Sequence, residues 1–80
     1  MQLTLIAFGI TKDILGGREV AFDLPEPTNV GHLLQRLQAT YPQIDGLASL
    51  KVAVNSEYAT ADTPIGPFDE VVLIPPVSGG

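Results

Sequence analysis

Apolar residues alternate with other residues at the start of the chain, from Met1 to Gly9. Because successive side chains of a strand point to opposite faces, this alternation predicts a β-strand with two different faces. The face expected to pack against a helix carries Leu3, Leu5 and Ala7. The other face carries Gln2, Thr4, Ile6 and Phe8.

A second alternation, over Arg18 to Leu24, predicts a strand that forms a hairpin with the first one. The connection between them is wide. Thr11 is predicted to cap a single helical turn there, and Gly16 with Gly17 ends that turn.

A helix is predicted after Pro27, with Thr28 or Asn29 as its N-cap and Pro42 as its stop. Its apolar residues recur at helical spacing and form one stripe, which consists of Val30, Leu33, Leu34, Leu37 and Tyr41. The opposite face carries His32, Gln35 and Arg36. The stripe is therefore expected to be core, and His32 is expected to be a solvated surface residue.

The second half of the chain predicts three further strands, at Lys51–Val54, Glu57–Ala59 and Val71–Ile74. Asn55 and Ser56 form a plausible tight turn between the first two. The stretches 42–49 and 63–69 are expected to be irregular. The last strand is apolar throughout, which is typical of a central strand that is covered on both faces. The pattern of its neighbours indicates that one of those faces is covered only part of the time.

The order strand, strand, helix and three strands predicts an α+β fold, with a mixed sheet of about five strands covered on one face by one main helix. With the last strand parallel to the first at the centre, this is the ubiquitin-like β-grasp. The expected domain is 1–74, and 75–80 is expected to be a flexible tail that ends in Gly79-Gly80.

Composition narrows the possible chemistry. The chain is 45% hydrophobic and 16% charged, which is typical of a globular domain rather than a disordered one. It has no Cys and one His, so a thiolate nucleophile, a metal site or a Ser/His/Asp triad is not expected, and neither is a bound cofactor. A net charge of −5 argues against nucleic acid as a partner. No stretch predicts a membrane span or a signal peptide, so a cytoplasmic location is expected.

The end of the chain is its most specific feature. It reads Pro75-Pro76-Val77-Ser78-Gly79-Gly80, and a random chain ends in Gly-Gly only roughly 0.5% of the time. Together with Asp69-Glu70-Val71, this end is similar to the D-E-V, P-P-V and G-G pattern of the molybdopterin synthase small subunits, which are MoaD/ThiS-type sulfur carriers. Shorter matches lie at Phe8 with Lys12-Asp13, at Pro27–Val30 and at Val52–Asn55.

The resemblance implies a function in which the C-terminal carboxyl group of Gly80 is the reactive group. Its carboxyl group would be adenylated by an E1-like enzyme that uses ATP, and a persulfide donor would convert it to a thiocarboxylate. The sulfur would then pass to a pterin precursor in molybdenum cofactor biosynthesis. The chain would be the non-catalytic, sulfur-donating subunit of a heterotetramer with the large subunit of molybdopterin synthase.

The residues expected to serve this role fall into two groups. Gly79 gives the narrow backbone that a channel requires. An apolar patch on the sheet is expected to bind the partner, and it would contain Ile6, Phe8, Val72 and Ile74. By resemblance, the other partner-binding residues would be Lys12, Pro75, Pro76, Val77 and Ser78.

Three alternative functions share this fold. The chain could carry sulfur for another pathway, such as thiazole synthesis in thiamine formation. It could be a protein modifier that is joined to lysines through Gly80. It could also be a β-grasp interaction module without terminal chemistry, in which case Gly79-Gly80 would be an accident.

Overall fold

The computed structural model describes residues 1–46 and 50–75. The elements are β1 (Gln2–Ala7), α1 (Gly9–Leu15), β2 (Glu19–Asp23), β3 (Thr28–Asn29), α2 (Val30–Thr40), a 3₁₀ helix (Pro42–Gly46), β4 (Lys51–Val54), β5 (Glu57–Tyr58), β6 (Pro64–Ile65) and β7 (Val71–Ile74). A five-stranded sheet has the order β2-β1-β7-β4-β5. In it, β1 and β7 are parallel and the other neighbours are antiparallel. The predicted α+β β-grasp is confirmed, with the last strand beside the first.

The core lies between one face of this sheet and α2. Its fully buried side chains include Leu3, Leu5, Leu33, Leu37, Val71 and Leu73. Burying one such side chain stabilises the fold by about 1.5–3 kcal/mol. The predicted inward faces of β1 and β7 are therefore confirmed.

The helix α2 begins and ends as its sequence predicts. Asn29 is the N-cap, and its Oδ1 accepts a hydrogen bond from the backbone N–H of His32 at 2.9 Å. The helix ends at Thr40, ahead of Pro42. Leu34 and Tyr41 are only half-buried at the margin of the core, whereas His32 is exposed as expected.

The connection between β1 and β2 differs from the prediction. The helix α1 begins at Gly9 with Phe8 as its N-cap, so Thr11 is the third helical residue and the predicted capping role is wrong. The buried Thr11 hydroxyl accepts from the Phe8 N–H at 3.1 Å and donates to the Phe8 carbonyl oxygen. Because both hydrogen bonds join Thr11 to the Phe8 backbone, the chain turns at Phe8, and β1 ends at Ala7.

The second half of the chain contains more regular structure than expected. The short strands β3 and β6 pair with each other, with Thr28 opposite Ile65. The strand β6 lies inside the 63–69 stretch predicted to be irregular, and β3 consists of the two residues that were predicted as N-cap candidates. The 3₁₀ helix lies in the predicted 42–49 loop. Along β7, Val71 and Leu73 are fully buried, while Val72 and Ile74 are half-buried. The expectation that one face of β7 is only partly covered is therefore confirmed.

Within the described part of the chain, no helix has the length and apolar character needed to cross a membrane.

Candidate functional site

One face of the five-stranded sheet is turned away from α2, and we call it the open face. Its central row crosses all five strands, because each residue is the register partner of the next: Glu19, Ile6, Val72, Ala53 and Tyr58. The inner members of this row are apolar. The open face therefore has an apolar centre that is contributed by the three central strands, β1, β7 and β4.

The strands β1 and β7 run parallel, so both end at the same edge of the sheet, which we call the carboxyl edge. Phe8 follows β1 there, and its side chain is 42% exposed. Pro75 follows β7 and is half-buried. The half-buried Ile74 ends β7, opposite Lys51 of β4. The apolar centre of the open face thus continues to the point where the chain leaves β7.

A shallow hollow of about 510 Å³ lies on the open face and crosses the row, from Glu70 ahead of β7 to Phe8 at the carboxyl edge. Its lining residues are Ile6, Phe8, Arg18, Glu19, Glu70 and Val72. The guanidinium carbon of Arg18 lies 5.6 Å from the centre of the Phe8 ring, a cation–π contact of about 0.5–1 kcal/mol at an exposed position. An apolar floor with charged residues around it is the usual composition of a protein-binding surface.

The predicted site residues, which are the partner-binding residues together with Gly79 and Gly80, divide into three groups. Ile6, Val72 and Ile74 lie together on the open face, and Phe8 lies beside them at the carboxyl edge. Lys12 is exposed on α1, outside the sheet. The remaining members lie outside the described residues, apart from Pro75: Pro76, Val77, Ser78, Gly79 and Gly80.

Sequence reasoning missed part of the surface. Ala53 and Tyr58 complete the row, and Tyr58 is 73% exposed. Because Val52 and Val54 alternate and point into the core, Ala53 between them could have been predicted to lie on the opposite face of the sheet. No sequence pattern pointed to Arg18, because the contact of its guanidinium with the Phe8 ring depends on the path of the chain through α1.

The opposite edge of the sheet is held by side-chain hydrogen bonds. The Asp69 carboxylate accepts from the backbone N–H of Gly66 at 2.6 Å and from the side-chain amide of Asn55 at 2.9 Å. These donors, the Gly66 bond first, lower the pKa of Asp69 below its ordinary value. Asn55 Oδ1 also accepts from the Glu70 N–H at 2.9 Å. This network fixes the loop that precedes β7, including the almost fully exposed Phe68.

Groups of acidic or His side chains that could hold a metal ion are absent from residues 1–46 and 50–75.

Comparison with known proteins identifies the family. The profile of the ThiS family matches residues 5–80, and the chain belongs to this family. A molybdopterin synthase sulfur carrier subunit of Dictyostelium discoideum is 35% identical over 83 residues, which cover 99% of this chain and 96% of the relative.

Solved structures share the fold. SAMP1 from Haloferax volcanii is 28% identical, with a TM-score of 0.81 and full coverage of both chains. A complex of subunits 1 and 2 of the molybdopterin-converting factor from Helicobacter pylori contains a chain with a TM-score of 0.68 and 22% identity, again with full coverage of both chains. The second likeness establishes the fold alone.

Proposed function

We propose that this chain is the sulfur carrier subunit of a molybdopterin synthase and that the carboxyl group of Gly80 carries the sulfur. One observation supports this most directly: the parallel pairing of β1 and β7 joins the start of the Gly-Gly tail to the apolar end of the open face. A surface that binds a partner is thus continuous with the segment that would enter the partner. The names of the curated relatives favour molybdopterin over thiazole synthesis.

The proposed chemistry begins with a carboxylate, which is a poor electrophile. A Gly80 carboxylate oxygen attacks the α-phosphate of ATP on an E1-like enzyme, and pyrophosphate leaves. The terminal sulfur of a persulfide then attacks the acyl carbon and expels AMP, which forms an acyl disulfide. A thiol reductant cleaves that disulfide and leaves the thiocarboxylate on Gly80. The thiocarboxylate sulfur is the nucleophile that is delivered to the pterin precursor.

The contribution of this chain is delivery rather than catalysis. It has no Cys, and its single His lies exposed on α2. Gly79 and Gly80 lack a Cβ, so their backbone fits a channel too narrow for other residues. Pro75-Pro76 favours an extended stem, which lowers the entropy lost when the tail enters a partner.

The proposed partner on the open face is the large subunit of the synthase. The Helicobacter pylori complex contains subunits 1 and 2 of a molybdopterin-converting factor, and its similar chain has this fold. In the proposed complex, the apolar inner members of the row form the buried centre, and Arg18, Glu19 and Glu70 form the polar rim. The E1-like enzyme would bind the same surface at a different step, since both partners must receive the tail.

A protein modifier is the second candidate. Its support is the 28% identity over the whole chain to SAMP1 from Haloferax volcanii, which is named small archaeal modifier protein 1. Both functions need an activated Gly80, but they differ in the acceptor, which is a pterin precursor in one case and a lysine in the other. Lysine conjugates in the native organism would favour the modifier.

The test of the proposed function is pterin sulfuration in vitro, with the large subunit at saturating concentration. Deleting Gly80 withdraws the carboxyl group by about 3.3–3.6 Å, and a misplacement of about 1 Å can cost roughly a hundredfold in rate. Gly79→Val adds a β-branched side chain where the channel should be narrowest. Both variants should lose sulfur transfer and keep the stability of the wild type. Near-normal product from the Gly80 deletion would contradict the proposal.

A further inference from the structure

Gly9 and Pro75 touch at the carboxyl edge. Ala7 and Leu73 are partners in the parallel register, so Gly9 and Pro75 stand at corresponding positions beyond them. A Cβ built on Gly9 would lie 3.2 Å from Cγ of Pro75, which is tighter than an ordinary contact of 3.4–4 Å. The pyrrolidine ring therefore lies so close to the Gly9 backbone that a Cβ at position 9 would displace it.

Gly9 also has a backbone conformation that favours glycine. Its φ is +56°, in the left-handed region, at the first residue of α1. Gly16, which caps the other end of α1, has φ +86° and is therefore subject to the same preference. A Cβ on Gly16, however, would meet nothing within 4 Å. The two glycines share the conformational requirement and differ in the contact with Pro75.

We infer that Gly9 is a positioning residue: its bare backbone seats the Pro75 ring and so sets the direction in which the chain leaves β7 toward Gly80. This inference rests on the proposed function. Proline has a fixed φ, so a ring held at one place orients the following peptide bond. A side chain at position 9 would push the ring by a few tenths of an ångström. Such a shift would turn the peptide bond that follows Pro75 and so misplace the carboxyl group of Gly80.

The experiment compares Gly9→Ala with Gly16→Ala. Both variants place an alanine in the left-handed region, so both should lose similar stability in urea unfolding. The readout is the single-turnover rate of sulfur transfer from the thiocarboxylated chain, at a saturating concentration of the large subunit. Gly9→Ala should lower this rate about threefold to tenfold, scaled from roughly a hundredfold per ångström of misplacement. Gly16→Ala should stay close to the wild-type rate, and the Kd of Gly9→Ala for the large subunit should be unchanged.

A rescue variant separates the contact from a general structural effect. Pro75→Ala removes the Cγ atom that a Cβ on Gly9 would approach. In the Pro75→Ala background, Gly9→Ala should therefore cause no further loss of rate, and such a result supports the inference. Equal rates for Gly9→Ala and Gly16→Ala, or an undiminished loss in the Pro75→Ala background, would overturn it. A wild-type chain that takes up no sulfur would instead overturn the proposed function, and this inference with it.

Discussion

Ile6 and Val72 are register partners in the parallel pairing of β1 and β7, and both side chains line the hollow on the open face. Their neighbours in each strand, Leu5 with Val71 and Ala7 with Leu73, are fully buried on the other face. One pair of adjacent strands thus supplies both the core and the candidate binding surface. The two faces should respond differently to mutation.

Charge placed at the carboxyl end of the open face should weaken partner binding and leave the fold intact. Phe8→Asp and Ile74→Asp would each desolvate a carboxylate at an apolar interface. We expect the Kd for the large subunit to rise about tenfold to a hundredfold, which corresponds to roughly 1.4–2.8 kcal/mol. Phe8 is the N-cap of α1, and aspartate is a favoured N-cap residue, so this variant should fold well. Isothermal titration calorimetry measures the binding and circular dichroism checks the fold.

Phe68→Asp is the matched control for this pair. It makes the same chemical change on a side chain that is 99% exposed, at the opposite edge of the sheet. Its Kd should stay within about twofold of the wild type, since an energetically important contact should lie in the centre of the interface. An unfolded Ile74→Asp variant, or equal losses for all three variants, would refute the assignment of the binding surface to the carboxyl end.

Truncations on the other face should cost stability instead. Leu73→Ala creates a cavity in the buried core and should cost about 2–5 kcal/mol of unfolding free energy. Leu34 belongs to the helical stripe that the sequence predicted to be core, and on that prediction alone Leu34→Ala would cost the same amount. Because Leu34 is only half-buried, we now expect a smaller loss of about 1 kcal/mol. Urea unfolding of the two variants measures the difference, and an equal loss would mean that Leu34 is as tightly packed as Leu73.

Acid should remove the contribution of Asp69 to stability. Its folded-state pKa is lowered by the Gly66 and Asn55 donors, so the unfolded chain takes up this proton first as the pH falls. The contribution is complete above the ordinary pKa of 3.8 and is lost as the pH falls through it toward the lowered folded value. Asp69→Asn should therefore show a shallower loss of melting temperature between about pH 5 and pH 2 than the wild type.

Asn55→Gly supplies an intermediate case for the same titration. Glycine keeps the positive φ of position 55, which is +53°, and removes one of the two donors to the carboxylate. Its loss of melting temperature in acid should fall between those of the wild type and Asp69→Asn. A wild-type slope in Asp69→Asn would show that these hydrogen bonds do not couple Asp69 to folding.

The sequence predicted those features whose signals are local or periodic. The alternation of Leu3, Leu5 and Ala7 and the cap at Asn29 were sufficient to place β1 and α2. The two-residue strands β3 and β6 could not be predicted, because strands of that length depend on tertiary pairing rather than on a pattern. The position of Phe8 depends on the buried hydroxyl of Thr11, which the sequence suggested as a helix cap.

The candidate site also combines residues that local patterns predicted with residues that only the tertiary structure revealed. Alternation and the predicted strand order placed Ile6, Val72 and Ile74 on one face of the sheet. Tyr58 joined the row only through the register of β4 with β5, which is a long-range property. The contact between Gly9 and Pro75 also required coordinates, since the two residues are far apart in sequence and meet only at the carboxyl edge.

Intact-mass spectrometry directly tests whether the carboxyl group of Gly80 carries sulfur. The chain is incubated with the activating enzyme of its own organism, ATP and a persulfide donor, and a parallel sample lacks ATP. If the carboxyl group of Gly80 becomes a thiocarboxylate, the chain should gain the mass difference between sulfur and oxygen only when ATP is present. Fragmentation should locate this gain at Gly80. The Gly80 deletion should show no such gain at its new terminus. The sulfur-carrier function would be refuted if the mass of the wild-type chain stayed unchanged under conditions in which a curated relative gains sulfur.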